Sequence, residues 1–310
     1  MSEPLVSIII PCFNAAPWIG ATLESALAQT WPHREIIVVD DGSTDGSLPI
    51  ACNFKNGRLQ VIAQSNAGAA AARNAGLRVA QGEFIQFLDA DDLLAPDKIS
   101  NQLARIRSMD PDTLASSAWA RFGRDPSEAV FTSEANHKDL SGVEYLQINF
   151  EKRTMMHPAA WLAPRALLDG AGPWDESLSL NDDGEYFARA ALAASQIVHC
   201  ADARSYYRSN LSGSLSGRKD PRALQSLYRS VELTVEHLLK YDASPRSRAA
   251  AAYAWKCTAF ELYPGAPALA QAAESACRQL GGSNRPFPGS GRFQFAAKFL
   301  GWRLARQLFP

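Results

Sequence analysis

The chain has 310 residues, 46% hydrophobic and 20% charged, with a formal net charge of −1. That composition excludes a disordered or fibrous chain and allows one large domain or two smaller ones. The even balance hides a polarity: residues 1–214 hold 17 basic and 26 acidic residues (net −9), and residues 215–310 hold 14 and 6 (net +8), so the two parts are expected to do different jobs.

Cysteine usage and hydropathy exclude more. Cys12, Cys52, Cys200, Cys257 and Cys277 contain no Cys-x-x-Cys pair, which argues against a disulfide framework or structural zinc and for a reducing, cytoplasmic compartment. The apolar run from Leu5 is short, lacks a basic leader and meets Pro11, so it does not read as a secretory signal. No stretch approaches the roughly 18 consecutive apolar residues of a membrane span.

In chain order, "LVSIII" (5–10) reads as a buried strand and "PCFNAAPWIGATLESALAQT" as leading into a helix. A strand Glu35–Val39 runs into the turn "DDGSTDGS". A short helix follows, then a third strand, "LQVIAQSN". The Ala-rich helix "AGAAAARNAGLRVAQG" stops at Gly82, and the fourth strand is "EFIQFLDADD". Such alternation predicts an α/β fold with a mostly parallel sheet covered by helices. Beyond it, Lys98–Met109 reads as a helix, "SSAWARFG" as a strand, "DDGEYFARAALAAS" as a helix and "QIVHCADARSYYR" as a strand. From about 220 the pattern is helical, with a Gly/Pro/Ser linker at 281–291. The expected division is a domain at 1–215, in halves 1–105 and 106–215, and a helical region at 216–310.

Open parallel sheets bind ligands beyond the carboxyl ends of their strands. Those ends carry Pro11–Asn14, Asp40–Asp41, Asn66 and Asp89–Asp92. Turn chemistry accounts for Asp41 better than for Asp40, which is free to accept hydrogen bonds from a base or ribose. Arg73, among small residues, can contact a base or a phosphate. Asp89 and Asp91 flank one small residue, and their mutual repulsion is relieved by a hard divalent cation that takes its other ligands from phosphates and water. Asp92 and Asp97 suit a turn or a helix N-terminus.

"VSIIIPCFN", "IIVVDDGSTDGS", "NAGAAAARNAG" and "FLDADDLLAPDK", in that order, resemble the N-terminal half of the family 2 glycosyltransferases, inverting enzymes of GT-A fold. The resemblance is close over 4–105 and looser to about 215. It implies transfer of a sugar from a nucleotide-sugar donor, usually a UDP-sugar, to the hydroxyl of a glycan or lipid-linked acceptor, with cell-envelope or polysaccharide glycans the habitual setting. Pro11, Phe13, Asn14, Asp40, Asn66, Arg73, Asp89 and Ala90 would then hold the nucleotide. Asp91, with Asp89, would contact Mg²⁺ or Mn²⁺. The segment "NDDGEYFAR" matches the family pattern that carries the base; direct displacement needs a carboxylate opposite the leaving group, and Asp183 is expected in that role ahead of Glu185.

One departure stands out: Asn210 occupies about the position where many relatives carry a His, so a third protein ligand to the metal is not expected. Arg208 and Ser214 remain candidates for phosphate contacts. His157 and Trp161 could serve the acceptor, although packing is the better reading of both.

Without a Gln-x-x-Arg-Trp motif or membrane helices, a single transfer is expected rather than processive synthesis. Residues 292–309 interleave Phe293, Phe295, Phe299, Trp302 and Phe309 with Arg292, Lys298, Arg303 and Arg306. That composition fits either peripheral contact with the inner face of a membrane or a helix docked on the core or in a homodimer. Dispersed basic residues argue against nucleic acid. Two alternative classes remain: a sugar-nucleotide nucleotidyltransferase, which needs a Gly-rich loop that "PCFNAAPW" lacks, and a non-catalytic GT-A-like scaffold that binds a nucleotide-sugar.

Overall fold

Continuous β-branched runs bury both faces of a strand, and the run from Val6 does so over its whole length. The computed structural model describes residues 3–55, 57–209 and 217–309. In chain order the elements are β1 (Val6–Cys12), α1 (Ile19–Leu27), β2 (Arg34–Asp40), α2 (Ser47–Asn53), β3 (Leu59–Ala63), α3 (Ala69–Val79), β4 (Phe84–Phe87), β5 (Leu93–Leu94), α4 (Lys98–Ile106), β6 (Thr113–Phe122) and α5 (Gly142–Lys152). Then come β7 (Ala163–Pro164), α6 (Arg165–Ala171), α7 (Asp182–Ala193), β8 (Gln196–Arg208), α8 (Pro221–Tyr241), α9 (Pro245–Leu262), α10 (Pro267–Gln279), α11 (Gly291–Leu300) and α12 (Trp302–Leu308).

The chain separates into two compact units: Met1–Gly142 with Met155–Ser177 and Arg189–Ser212, and Val143–Thr154 with Leu178–Ala188 and Gly213–Pro310.

The first unit holds two sheets. One has the order β3-β2-β1-β4-β7, with β1 to β4 parallel and β7 antiparallel at the edge. The other has the order β5-β8-β6. Cys12 pairs with Asp40, Asp40 with Ala63 and Ile9 with Phe87, so the carboxyl ends of the four parallel strands share one edge. The expected mostly parallel α/β sheet is present. β4 is shorter than "EFIQFLDADD" suggested. The chain turns at Asp89, where Asp92 N–H donates to Asp89 O at 3.0 Å, and Leu93–Leu94 then joins β8 in the other sheet.

α3 packs on β1 and β2 with Ala70 to Gly76 buried. The small residues admit the sheet itself, since a Cβ on Gly76 would collide with the Ile9 side chain.

In the second unit, Asp220, Ser244 and Ser290 cap α8, α9 and α11 by accepting from Ala223, Ser247 and Phe293 N–H. Each removes an orphan donor at a helix start. Leu224, Val235, Trp255, Ala259, Leu262 and Ala273 form its core. Phe260, Phe293, Ala296 and Ala305 form a second cluster, with Phe287 and Trp302 packed on it. The aromatic residues of 292–309 spread around a single helical projection because the segment is two helices broken at Gly301, whose φ is +74°.

Candidate active site

The carboxyl-end edge of the five-stranded sheet gathers most of the candidates of the first unit. Asp41, expected to serve a local turn, instead locks two loops together. Its carboxylate accepts from Gln64 Nε2 (2.7 Å), Asn66 Nδ2 (3.1 Å), Ala67 N (2.9 Å) and Gly68 N (2.8 Å). Asn66 is therefore spent on positioning Asp41.

The local turn falls to Asp40, whose Oδ2 accepts from Ser43 N at 3.1 Å. Asp40 is 2% exposed, and its Oδ1 is buried with no hydrogen-bond partner among the described residues. A buried, unmatched carboxylate oxygen is costly unless a ligand donor completes it. Gly42 makes the turn with φ +74°, where a Cβ would lie 2.8 Å from Asn66 N.

At the end of β1, Pro11 lies within the strand and Phe13 is 49% exposed. Asn14, with φ +49°, accepts from Thr44 N at 2.8 Å and ties the β1 loop to the β2 loop.

Arg73 is buried on α3. Its Nη2 donates to Asp89 Oδ1 at 2.7 Å, and its guanidinium lies 4.4 Å from the centroid of the buried Trp174 ring. Arg73 thus positions Asp89. The backbone of the acidic turn is pinned on three sides. Thr22 Oγ1 donates to Ala90 O and Asp92 O, both at 2.9 Å, and Arg208 Nε donates to Asp91 O at 2.8 Å. Arg208 also donates through Nη1 to Gly123 O and stacks on Trp18 and Phe122 at 4.4 and 4.3 Å. Its side chain straps the turn.

The three aspartates separate. Asp92 is fully buried, with Oδ1 accepting from Arg208 N at 2.8 Å and Oδ2 3.0 Å from His157 Nδ1. His157 Nε2 lies 2.9 Å from Ser205 Oγ. Burial pushes Asp92 up and His157 down to about 3, so it disfavours the charged form of both. Asp92 is structural, as its sequence suggested, but through partners 65 and 116 residues away rather than through a helix cap. His157 and Trp161 are each 1% exposed and present no face to solvent. Asp97 stands at the N-cap of α4 without a side-chain bond to it.

Asp91 is only partly buried. Burial, then the charges of Asp92 and Asp89, push its carboxyl up to about 7. Asp89 and Asp91 are oxygen donors of the kind a hard divalent cation accepts, and such an ion would remove the repulsion that raises Asp91. Among the described residues no group of three or more His, Cys, Asp or Glu is placed to hold a metal ion. A cation here would take its remaining ligands from a diphosphate and water.

In the second unit, Asn181 adopts φ +58° and its Nδ2 donates to Ser230 Oγ at 2.8 Å. A Cβ on Gly184 would strike the Asn181 amide, so a larger residue at the head of α7 has to push that amide aside. Asp183 is half-buried in the first turn, its Oδ1 accepting from Gly184 N at 2.9 Å. Glu185 is buried, with Oε1 3.2 Å from His237 Nε2. Of the two acids, Asp183 is the more accessible. Ser214 and Asn210 lie outside the described residues.

No sequence motif singles out Thr22, Trp174 or His237. Thr22 and His237 act on partners 52 to 70 residues away, and no local spacing signals such pairs.

Nucleotide-sugar chemistry on a GT-A sheet is the class that this fold and edge suggest, and comparison with known proteins supplies the family. Residues 7–169 match the model of glycosyl transferase family 2; the chain belongs to that family. It is 48% identical over 100 residues (32% of this chain, 40% of the relative) to Escherichia coli WfaP, a UDP-Glc:alpha-D-GlcNAc-diphosphoundecaprenol beta-1,3-glucosyltransferase. Its fold resembles that of S. aureus TarS in complex with UDP, with a TM-score of 0.67 and 19% identity over 98% of this chain and 90% of that one. It also resembles a mannosyltransferase of Pyrobaculum calidifontis in complex with GDP-Man and Mn²⁺, with a TM-score of 0.57 and 22% identity over 99% and 84%. These neighbours establish the GT-A fold. Across five curated relatives the chain spans 40% to 57% of their own length. No helix among the described residues is long and apolar enough to cross a membrane.

Proposed function

We propose that the chain is a non-processive, inverting glycosyltransferase that moves a sugar from a UDP-sugar to a hydroxyl of a lipid-linked or glycan acceptor in cell-envelope synthesis, with Mg²⁺ or Mn²⁺. The observation that carries this reading is the pairing, on one sheet edge, of the unmatched Asp40 Oδ1 with the crowded Asp89 and Asp91 carboxylates. One calls for a donor from the ligand and the others for a cation. WfaP supports the UDP-sugar and the lipid-linked acceptor by its name, and the Pyrobaculum enzyme supports the metal.

In this mechanism Asp40 accepts a hydrogen bond from the nucleoside, with the Asn14 and Asp41 loops fixing the pocket around it. Arg73 holds Asp89 in place, and Thr22 and Arg208 hold the turn so that Asp91 is aimed before substrate arrives. When bound, the divalent cation supplies stabilisation of the charge that builds on the leaving diphosphate. Asp183 takes the proton of the acceptor hydroxyl as that oxygen attacks the anomeric carbon, and Glu185 with His237 fixes the first turn that carries it.

The test is UDP release from a panel of UDP-sugars with a diphosphoundecaprenol-linked sugar acceptor, with Mn²⁺ and with EDTA. Release that depends on acceptor and is lost in EDTA is expected. Release from no UDP-sugar, or release indifferent to EDTA, overturns the reading.

A further inference from the structure

Six of the eleven large apolar side chains exposed among the described residues fall between Phe295 and Phe309. Their placement follows from the broken helix. α11 turns Phe293 and Ala296 inward against Phe260, Phe287 and Trp302. Its outer side carries Phe295 and Phe299, one turn apart, 68% and 74% exposed, with ring centroids 5.2 Å apart. α12 repeats the scheme: Ala305 is buried, and Leu304 and Leu308 are exposed one turn apart. The inward faces already have their core, so the outward pairs are not core residues. Large apolar side chains exposed this densely in one short segment mark an interaction site.

Charge identifies the occupant. After Glu274 the sequence contains Arg278, Arg285, Arg292, Lys298, Arg303 and Arg306 and no Asp or Glu. Arg303 is paired with Glu274 at 2.7 Å, and Arg306 lies over the Phe260 ring at 4.3 Å. Arg292 and Lys298 are exposed on the same helix as the phenylalanine pair, in no ion pair among the described residues. A second copy of this face would bring cation against cation. An anionic lipid surface accepts both features: rings and leucines at the acyl boundary, cations at the headgroups.

We propose that residues 291–309 form an in-plane membrane anchor that lays Phe295, Phe299, Leu304 and Leu308 into an anionic lipid surface, with Arg292 and Lys298 at its headgroups. The anchor needs no sugar donor, so its test is independent of the transfer reaction.

The test is co-sedimentation of the full chain with vesicles of equal parts phosphatidylcholine and phosphatidylglycerol, against phosphatidylcholine alone. Binding to the anionic vesicles that weakens with salt is expected. Phe295→Ser with Phe299→Ser should weaken it more than about tenfold. Arg292→Glu with Lys298→Glu should weaken it at least about tenfold on anionic vesicles. Because the four side chains are exposed, both variants should melt with the unaltered chain, which separates lost binding from lost folding. Absence of binding to anionic vesicles, or binding that both variants leave unchanged, overturns the proposal. So does a dimer in vesicle-free sedimentation equilibrium that the phenylalanine variant breaks, since a second copy would then own the face.

Discussion

The two carboxylate oxygens of Asp40 lead different lives. Oδ2 closes a turn on Ser43, while Oδ1 is buried without a partner among the described residues. A group kept in that state costs stability and serves binding. Asp40→Ala should therefore weaken UDP binding about tenfold or more by calorimetry while leaving the melting temperature level or higher. Asp91 makes a second residue-scale prediction. Its carboxyl is raised from 3.8 to about 7 in the folded chain, so the folded state prefers it protonated. The stability it contributes is fully present below about pH 4 and is lost as pH rises to about 7. Without metal, Asp91→Asn should flatten that decline in a pH series of melting temperatures. Protons and Mn²⁺ should compete at Asp91, so Mn²⁺ affinity should rise with pH and level off above about 7.

Among the elements, the acidic turn between β4 and β5 depends on supports that lie far off in sequence. Thr22 on α1, Arg208 at the end of β8 and the buried Asp92–His157–Ser205 line all bear on four residues. Removing one partner of a buried hydrogen-bonded pair leaves the other unsatisfied, so His157→Ala should lower unfolding free energy by about 1–3 kcal/mol in urea. At the head of α7, Gly184→Ala should force the Asn181 amide aside, cost about 1–3 kcal/mol, and lower kcat more than it raises KM, because the proposed base is displaced and the donor site is not. The strands and helices from β1 to α3 were readable because each run had one period and a Gly, Pro or Asp stop, whereas the two residues of β5 carry no such signal. β4 and β7 were not readable at their observed lengths. The chain leaves the sheet at Asp89 for a turn stabilised from outside the window, and β7 is two residues fixed by pairing with β4.

Over the whole molecule, sequence order alone placed Pro11–Asn14, Asp40, Asn66 and Asp89–Asp91 on one edge, because parallel strands repeat the same end. It could not divide labour among them. Arg73, Asn66 and Arg208 carry charge or amides suited to a ligand, yet they are turned onto Asp89, Asp41 and the backbone of the acidic turn. Only long-range packing decides that. In the proposed mechanism Asp40, Asp89 and Asp91 bind the nucleotide and cation, and Asp183 takes the acceptor's proton. The most direct measurement is UDP binding and sugar turnover, in parallel and with Mn²⁺, for Asp91→Asn and Asp183→Asn. The account predicts that Asp91→Asn loses both, whereas Asp183→Asn keeps UDP affinity and loses turnover by about 100-fold or more. Undiminished turnover in Asp183→Asn, or undiminished Mn²⁺-dependent UDP binding in Asp91→Asn, would contradict it.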